Sequence, residues 1–172
     1  MSDSHEELRK EVVALLPRMR RFARTITRNR EDADDLVQLA VERALMRLDQ
    51  WQRGTRLDSW IFMIMKNAWI DEVRSRVRRD AVFLPEEAGE NVGQAAGDWP
   101  ADRQHVRMDV QRAMEQLSED QRMAVGLVLV EGLPYKEASE VLGIPIGTLT
   151  SRLARARESL QAILAGPQGA TG

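Results

Sequence analysis

Apolar positions along this chain recur at steps of three and four, the spacing of helices that bury one face. Leu8, Val12, Leu15, Leu16, Met19, Phe22, Ala23 and Ile26 make one such stripe through residues 5–28. Pro17 lies inside it. A proline lacks the amide hydrogen and crowds the preceding turn, so the spacing predicts a break near Leu16 and a new helix starting at Pro17. Asn29 is placed to cap the next helix, residues 30–49, with Glu31, Asp32, Asp34 and Asp35 near its positive end. Ala33, Leu36, Val37, Ala40, Ala44, Leu45 and Leu48 give that helix its predicted buried face. Gly54 breaks the chain, and Asp58 or Ser59 can open a third helix running to about Arg79. Its apolar face carries Trp60, Ile61, Ile64, Met65, Ala68, Trp69 and Val73.

The period then stops. Residues 81–105 hold Pro85, Gly89, Gly93, Gly97 and Pro100 and keep no apolar stripe, which reads as a flexible linker. Helical spacing resumes with Val106, Val110, Ala113, Met114 and Leu117. Ser118 with Gln121 three residues on is a capping box for a helix over 119–130, which Gly132 and Pro134 end. Tyr135–Leu142 reads as a short helix stopped by Gly143, Ile144-Pro145 as a turn, and Ile146–Leu164 as the last helix. Residues 165–172 read as a disordered tail. No strand pattern and no repeat is evident. The fold class expected is therefore all-α, with two small helical domains, 5–80 and 106–164, joined by an acidic linker.

Charge sharpens that division. The whole chain of 172 residues has a formal net charge of −2 and is not a basic nucleic-acid binder on average. Residues 1–80 nevertheless carry +3, residues 81–106 carry −4 and residues 107–172 carry −1. The absence of cysteine excludes a disulfide framework, a cysteine-ligated zinc or iron–sulfur site and a cysteine nucleophile. His5 and His105 both sit in polar surroundings, which argues against histidine-based catalysis. The longest uninterrupted apolar run, Trp60–Met65, has six residues and Met123–Val130 has eight counting Gly126, whereas a bilayer needs about 20. The first ten residues are polar and acidic, unlike a signal peptide. A cytoplasmic protein, not an enzyme, is expected, with no cofactor.

Three groups of residues could carry function. In the last helix and the one before it, a short helix, a turn at Gly143 and a longer helix form a helix-turn-helix pattern. Ala138, Leu142, Ile144, Leu149, Leu153 and Ala156 would face inward, leaving Thr148, Thr150, Ser151, Arg152, Arg155 and Arg157 on the other faces. Hydroxyls and arginines there can meet phosphates and base edges. Next, Lys66, Arg74, Arg76, Arg78 and Arg79 crowd the third helix, with Trp51, Trp60 and Trp69 nearby. Basic residues among aromatics suit unstacked bases, yet arginines also simply suit a helix C-terminus. Trp60 and Trp69, nine apart on the apolar stripe, read better as core. Finally, Asp34, Asp35 and Gln38 set acceptors on one helix flank. A helix start without a glycine-containing loop cannot supply the six or more oxygens a hard cation wants, so the flank reads as a docking surface for a basic partner and no metal is expected.

Asp34-Asp35-Leu36-Val37-Gln38, Ser59-Trp60-Ile61 through Asn67, and Ile144 to Leu153 followed by Arg155-Ala156-Arg157 occur in one order. With these motifs the chain resembles the extracytoplasmic-function sigma factors of bacteria over about residues 8–163. The resemblance implies binding to core RNA polymerase, recognition of −10 and −35 promoter elements, and melting of the −10 element. By position it assigns Asp34, Asp35 and Gln38 to the coiled coil of the polymerase largest subunit. It assigns Arg53, Gly54, Thr55, Arg56, the loop to Leu57, and Asn67 to the non-template −10 strand, and Arg74, Arg76, Arg78 and Arg79 to DNA alongside. Thr148, Thr150, Ser151, Arg152 and Arg155 match the face that enters the −35 major groove. Leu39 and Thr150 depart from residues common in the family, Glu and a basic residue respectively. An anti-sigma factor and a stress-response regulon are further implications. A helix-turn-helix regulator working without core polymerase, or a sigma mimic, are the alternatives. A linker of 25 residues spans at most about 80–90 Å, enough for two promoter elements about 70 Å apart.

Overall fold

Pro17 sets the first boundary. In the computed structural model, which describes residues 2–82 and 109–166, helix α1 (Ser2–Ala14) ends three residues before it and helix α2 (Leu16–Ile26) carries it in its first turn. There the missing amide removes no helical hydrogen bond. Helix α3 (Arg30–Met46) follows, capped as expected: the Asn29 side chain accepts from the Asp32 amide at 2.8 Å. Helix α3 stops earlier than its apolar spacing suggests. Arg47 leaves helical geometry and Leu48–Gln50 forms a 3-10 turn, which brings Leu48 into the core. Leu45 corrects an expectation, being 41% exposed, because it lies about 100° round the helix from buried Ala44. Helix α4 (Leu57–Val82) runs past Arg79, so residues 81 and 82 continue the helix rather than begin a linker.

The chain divides into two units, Met1–Gly93 and Gln94–Gly172. In the first, α2 and α4 pack across Phe22 and Phe62, whose rings meet edge to face at 5.1 Å between centroids. Met19, Phe22, Ile26, Ile61, Phe62 and Met65 are fully buried, and each large side chain contributes about 1.5–3 kcal/mol. Trp69 is buried as expected, whereas Trp60 and Val73 are only half-buried at the margins of the stripe.

In the second unit, residues 109–115 form the described part of helix α5. Helix α6 (Glu119–Val125) opens on the expected capping box, with Ser118 Oγ accepting from the Gln121 amide and Gln121 Oε1 accepting from the Ser118 amide, both at 3.2 Å. The apolar spacing over 119–130 is not one α-helix. Gly126–Val130 widens into a π-helical turn, closed by the Glu131 amide donating to the Gly126 carbonyl at 2.9 Å. Helix α7 (Tyr135–Leu142) ends at Gly143, whose φ of +65° is the left-handed value that favours glycine. That turn lets the Ile144 amide donate back to the Ser139 carbonyl at 3.1 Å. Helix α8 (Ile146–Leu164) then starts and packs on α6 and α7 through Leu149, Leu153 and Ala156. On α7 the buried residues are Ala138, Ser139 and Val141, while Leu142 and Ile144, expected inside, are half-buried. Most of the expected linker, and the tail from 167 on, lie outside the described residues.

Candidate nucleic-acid interface

What points outward on α8 follows from what is locked inward. Leu149, Leu153 and Ala156 are at most 1% exposed. At about 100° per residue, Ser151, Ala154, Arg155 and Glu158 fall on the opposite face, and all four are exposed. Ser151 and Arg155 are one turn apart there, with Thr150 beside them. The two hydroxyls are braced by their own helix: Thr150 Oγ1 donates to the Ile146 carbonyl at 2.9 Å and Ser151 Oγ to the Gly147 carbonyl at 3.0 Å. Each oxygen keeps lone pairs free to accept. Thr148 and Arg152 are half-buried at the edges of the packed stripe. The Arg152 guanidinium comes within 3.8 Å of the Asp120 carboxylate on α6, which draws it away from the outward face. Ala154, for which the sequence offers no signal because its side chain is small and apolar, lies at one edge of that face.

Helix α4 separates its basic residues by the same geometry. Asn67, Arg74 and Arg78 are seven and four residues apart and share one exposed stripe, within about 40° of one another. Among the described residues neither Arg74 nor Arg78 makes an ion pair. Arg76 lies about 160° away on the inner side of the helix. Its guanidinium makes two hydrogen bonds to the Asp32 carboxylate, at 2.6 and 2.9 Å, and one to Glu72 at 3.0 Å. It also covers the Trp69 ring at 5.5 Å. Arg76 is thus held between α3 and α4, unlike its neighbours at 74 and 78. Arg79 bonds Glu72 at 3.3 Å. Burial pushes the Lys66 ammonium pKa down.

The loop before α4 is also partly tied. Thr55 Oγ1 donates to the Gln52 carbonyl at 2.6 Å. The Arg56 guanidinium grips Asp58 at 2.8 and 3.1 Å, and Arg18 of α2 donates to the same carboxylate at 2.9 Å. Burial alone would raise the Asp58 pKa; the hydrogen bonds from Arg56, Arg18 and the Ser59 amide outweigh it and hold the carboxyl below its usual range. Arg53 and Gly54 are exposed, and Gly54 takes a φ of +89°. Trp51 is half-buried, with its indole nitrogen enclosed.

On α3, Asp34, Asp35 and Gln38 are all exposed, opposite Ala33, Leu36, Val37, Ala40 and Ala44. Asp34 and Gln38 line an open groove with Arg20 and Arg24 of α2, over Leu16, Val37 and Val41. Asp32, two residues before this flank, is by sequence only a favourable first-turn acid. It is instead 13% exposed, and the hydrogen bond from Arg76 holds its pKa below the usual carboxylate range against the opposing effect of burial. A partner 44 residues away leaves no local signal in sequence.

A helix-turn-helix with an exposed polar reading face in one unit, and a packing of helices α1 to α4 with basic and acidic flanks in the other, define an all-helical, two-part DNA-binding protein. The family profile described as Sigma-70 region 2 matches residues 12–79, and that described as Sigma-70, region 4 matches residues 107–160. The chain belongs to the extracytoplasmic-function RNA polymerase sigma factors, and its function is that of a sigma factor in transcription initiation. It is 35% identical to the ECF RNA polymerase sigma factor EcfG of Rhodopseudomonas palustris, over 92% of this chain and 86% of that one. It is 33% identical to ECF RNA polymerase sigma factor SigE of Mycolicibacterium smegmatis, over 86% of this chain and 58% of the relative. Among solved structures it resembles the sigma factor RpoE of Bartonella quintana, determined with the anti-sigma factor NepR, at a TM-score of 0.76 and 31% identity over 94% of this chain and 99% of that one.

Proposed function

We propose that this chain carries core RNA polymerase to its promoters through three surfaces on two units. Asp34, Asp35 and Gln38 on α3 dock on the coiled coil of the polymerase largest subunit. Arg53, Gly54 and Thr55, with Asn67, Arg74 and Arg78 of α4, take the −10 element. Ser151, Arg155 and Thr150 on α8 read the −35 element in the major groove, with Thr148 and Arg152 at the margins. The observation that best supports this reading is the outward row of Ser151 and Arg155, held by the buried Leu149, Leu153 and Ala156. An arginine there can donate twice to one guanine.

An anti-sigma factor is the proposed regulator. The Bartonella relative was solved with one, and this chain shares 31% identity with that relative. The chain acts in the cytoplasm, contributes no catalytic step of its own, and serves a stress-response regulon. No described helix is long and apolar enough to cross a membrane. The test is co-elution with purified core polymerase from the same cell, comparing the native chain with Asp35→Arg plus Gln38→Arg. Both residues are exposed, so the double change leaves folding stability within about 0.5 kcal/mol. Loss of co-elution with an unchanged melting curve supports the reading; retained co-elution removes α3 from the docking surface.

A further inference from the structure

We infer that Asp32 and Arg76 form a positioning clamp that sets helix α3 at its working angle on α4, and that Arg76 is not a DNA contact. The inference rests on the reading of α3 as the polymerase-docking helix.

Four observations carry it. First, the pair is bidentate: the two terminal guanidinium nitrogens each donate to one carboxylate oxygen, at 2.6 and 2.9 Å. Two parallel bonds fix direction as well as distance, which a single contact cannot. Second, both partners are held from elsewhere. The Asn29 side chain donates through Nδ2 to the Asp32 carboxylate at 2.9 Å, Glu72 accepts from Arg76 at 3.0 Å, and the guanidinium covers Trp69. Asn29 is itself the N-cap of α3, so cap, carboxylate and guanidinium form one connected group at the helix start. Third, the clamp joins the two helices where each turns functional. Asp34, Asp35 and Gln38 follow Asp32 by two, three and six residues, and Arg74 and Arg78 flank Arg76 on the other side of α4. Fourth, the first buried residue of α3 is Ala33, followed by Leu36 and Val37. Ala33 is a short side chain that restricts rotation of the first turn weakly, so the polar clamp adds the directional constraint there.

The clamp therefore couples the polymerase-facing flank to the DNA-facing stripe through a single ion pair. Its loss leaves α3 on the core while letting its first turn shift. Docking and strand capture then weaken together, although neither Asp32 nor Arg76 touches polymerase or DNA. A lysine at 76 keeps the charge but loses the fork.

The experiment measures three quantities on the full chain, using Asp32→Asn, Arg76→Lys, Arg76→Gln and the double variant Asp32→Asn with Arg76→Gln. They are melting temperature, affinity for core polymerase, and the salt dependence with which holoenzyme binds a −10 fork-junction DNA. Asp35→Arg with Gln38→Arg is the reference. The expected result is a loss of core affinity of about three- to tenfold for each single variant, well below its melting temperature, with no further loss in the double variant. The slope of DNA affinity against salt stays at the native value. A slope that shallows by about 0.9 for Arg76→Gln, but not for Asp32→Asn, overturns the inference and makes Arg76 a phosphate contact. Lowered melting with native core affinity also overturns it, leaving an ordinary stabilising pair. Native behaviour of the reference variant overturns the docking role of α3, and the clamp's role with it. A reference that loses core while the clamp variants keep it removes the clamp alone.

Discussion

Truncating Arg155 tests the reading face of α8 at one atom group. The side chain is exposed and the helix beneath it is anchored by Leu149, Leu153 and Ala156, so Arg155→Ala removes the guanidinium without moving the backbone. Alanine is at least as good a helix former as arginine, so the fold keeps its stability within about 0.5 kcal/mol. A bidentate arginine–guanine contact discriminates by about 1–3 kcal/mol, which is a loss of roughly five- to 150-fold. That loss is confined to one base pair of the −35 element. Arg157 lies about 160° round the helix from Arg155 and faces the side of the stripe. Arg157→Ala should cost less, uniformly across sequences, and by at most the roughly 0.9 in salt slope that one phosphate contact supplies. The assay is a panel of −35 mutants bound by holoenzyme carrying each variant at several salt concentrations. Equal losses at every base pair for Arg155→Ala would demote it to a phosphate contact. No loss at any base pair would mean that α8 is not the reader.

Three further outcomes follow from the packing and charge. Phe22→Ala empties a fully buried site against Phe62 and should lower the stability of the first unit by about 3–5 kcal/mol in urea unfolding; a change below about 1 kcal/mol would contradict the packing. Gly143→Ala meets no nearby atom, so its cost is the left-handed backbone alone, about 1–2 kcal/mol in thermal unfolding of the second unit; a neutral result would mean the turn relaxes. Asp32 and Asp58 both have carboxyls held below their usual range in the folded state, so they contribute stability that is fully present above about pH 4 and lost as pH falls through their folded values. Acid unfolding followed by circular dichroism should therefore show the first unit losing stability below about pH 4, with a shallower dependence in Asp32→Asn; an unchanged dependence would remove Asp32 from that account.

Much of this molecule was legible because its signals are local. Asn29, Pro17, the Ser118–Gln121 box and Gly143 each act through the backbone within five residues of themselves, and each element begins or ends where they stand. The outward row on α8 was legible for the same reason, since the spacing of Leu149, Leu153 and Ala156 dictates it. The end of α3 was not, because Leu45 and Leu48 look alike in sequence while only Leu48 is carried inward, by a 3-10 turn. The π-helical turn at Gly126–Val130 hides inside an unbroken apolar run. Arg76 stood in a row with Arg74, Arg78 and Arg79, and nothing local set it apart. Its partner Asp32 lies on another helix, and only tertiary packing brings the two together. Arg56 and Arg152, expected at the −10 and −35 surfaces, each have a carboxylate near them, Asp58 and Asp120 respectively, which the sequence does not signal for Arg152.

On the proposed function, these surfaces together let core polymerase find two-part promoters. Transcription of fragmented genomic DNA from the source organism, with purified core polymerase and this chain, followed by sequencing of the RNA 5′ ends, tests it directly. The expected result is a set of starts absent with core alone, preceded by two shared elements about two helical turns apart. Asp35→Arg with Gln38→Arg should abolish the set, and Arg155→Ala should alter one position of the upstream element. Starts identical to those of core alone, or a shared set with no upstream element, would contradict it.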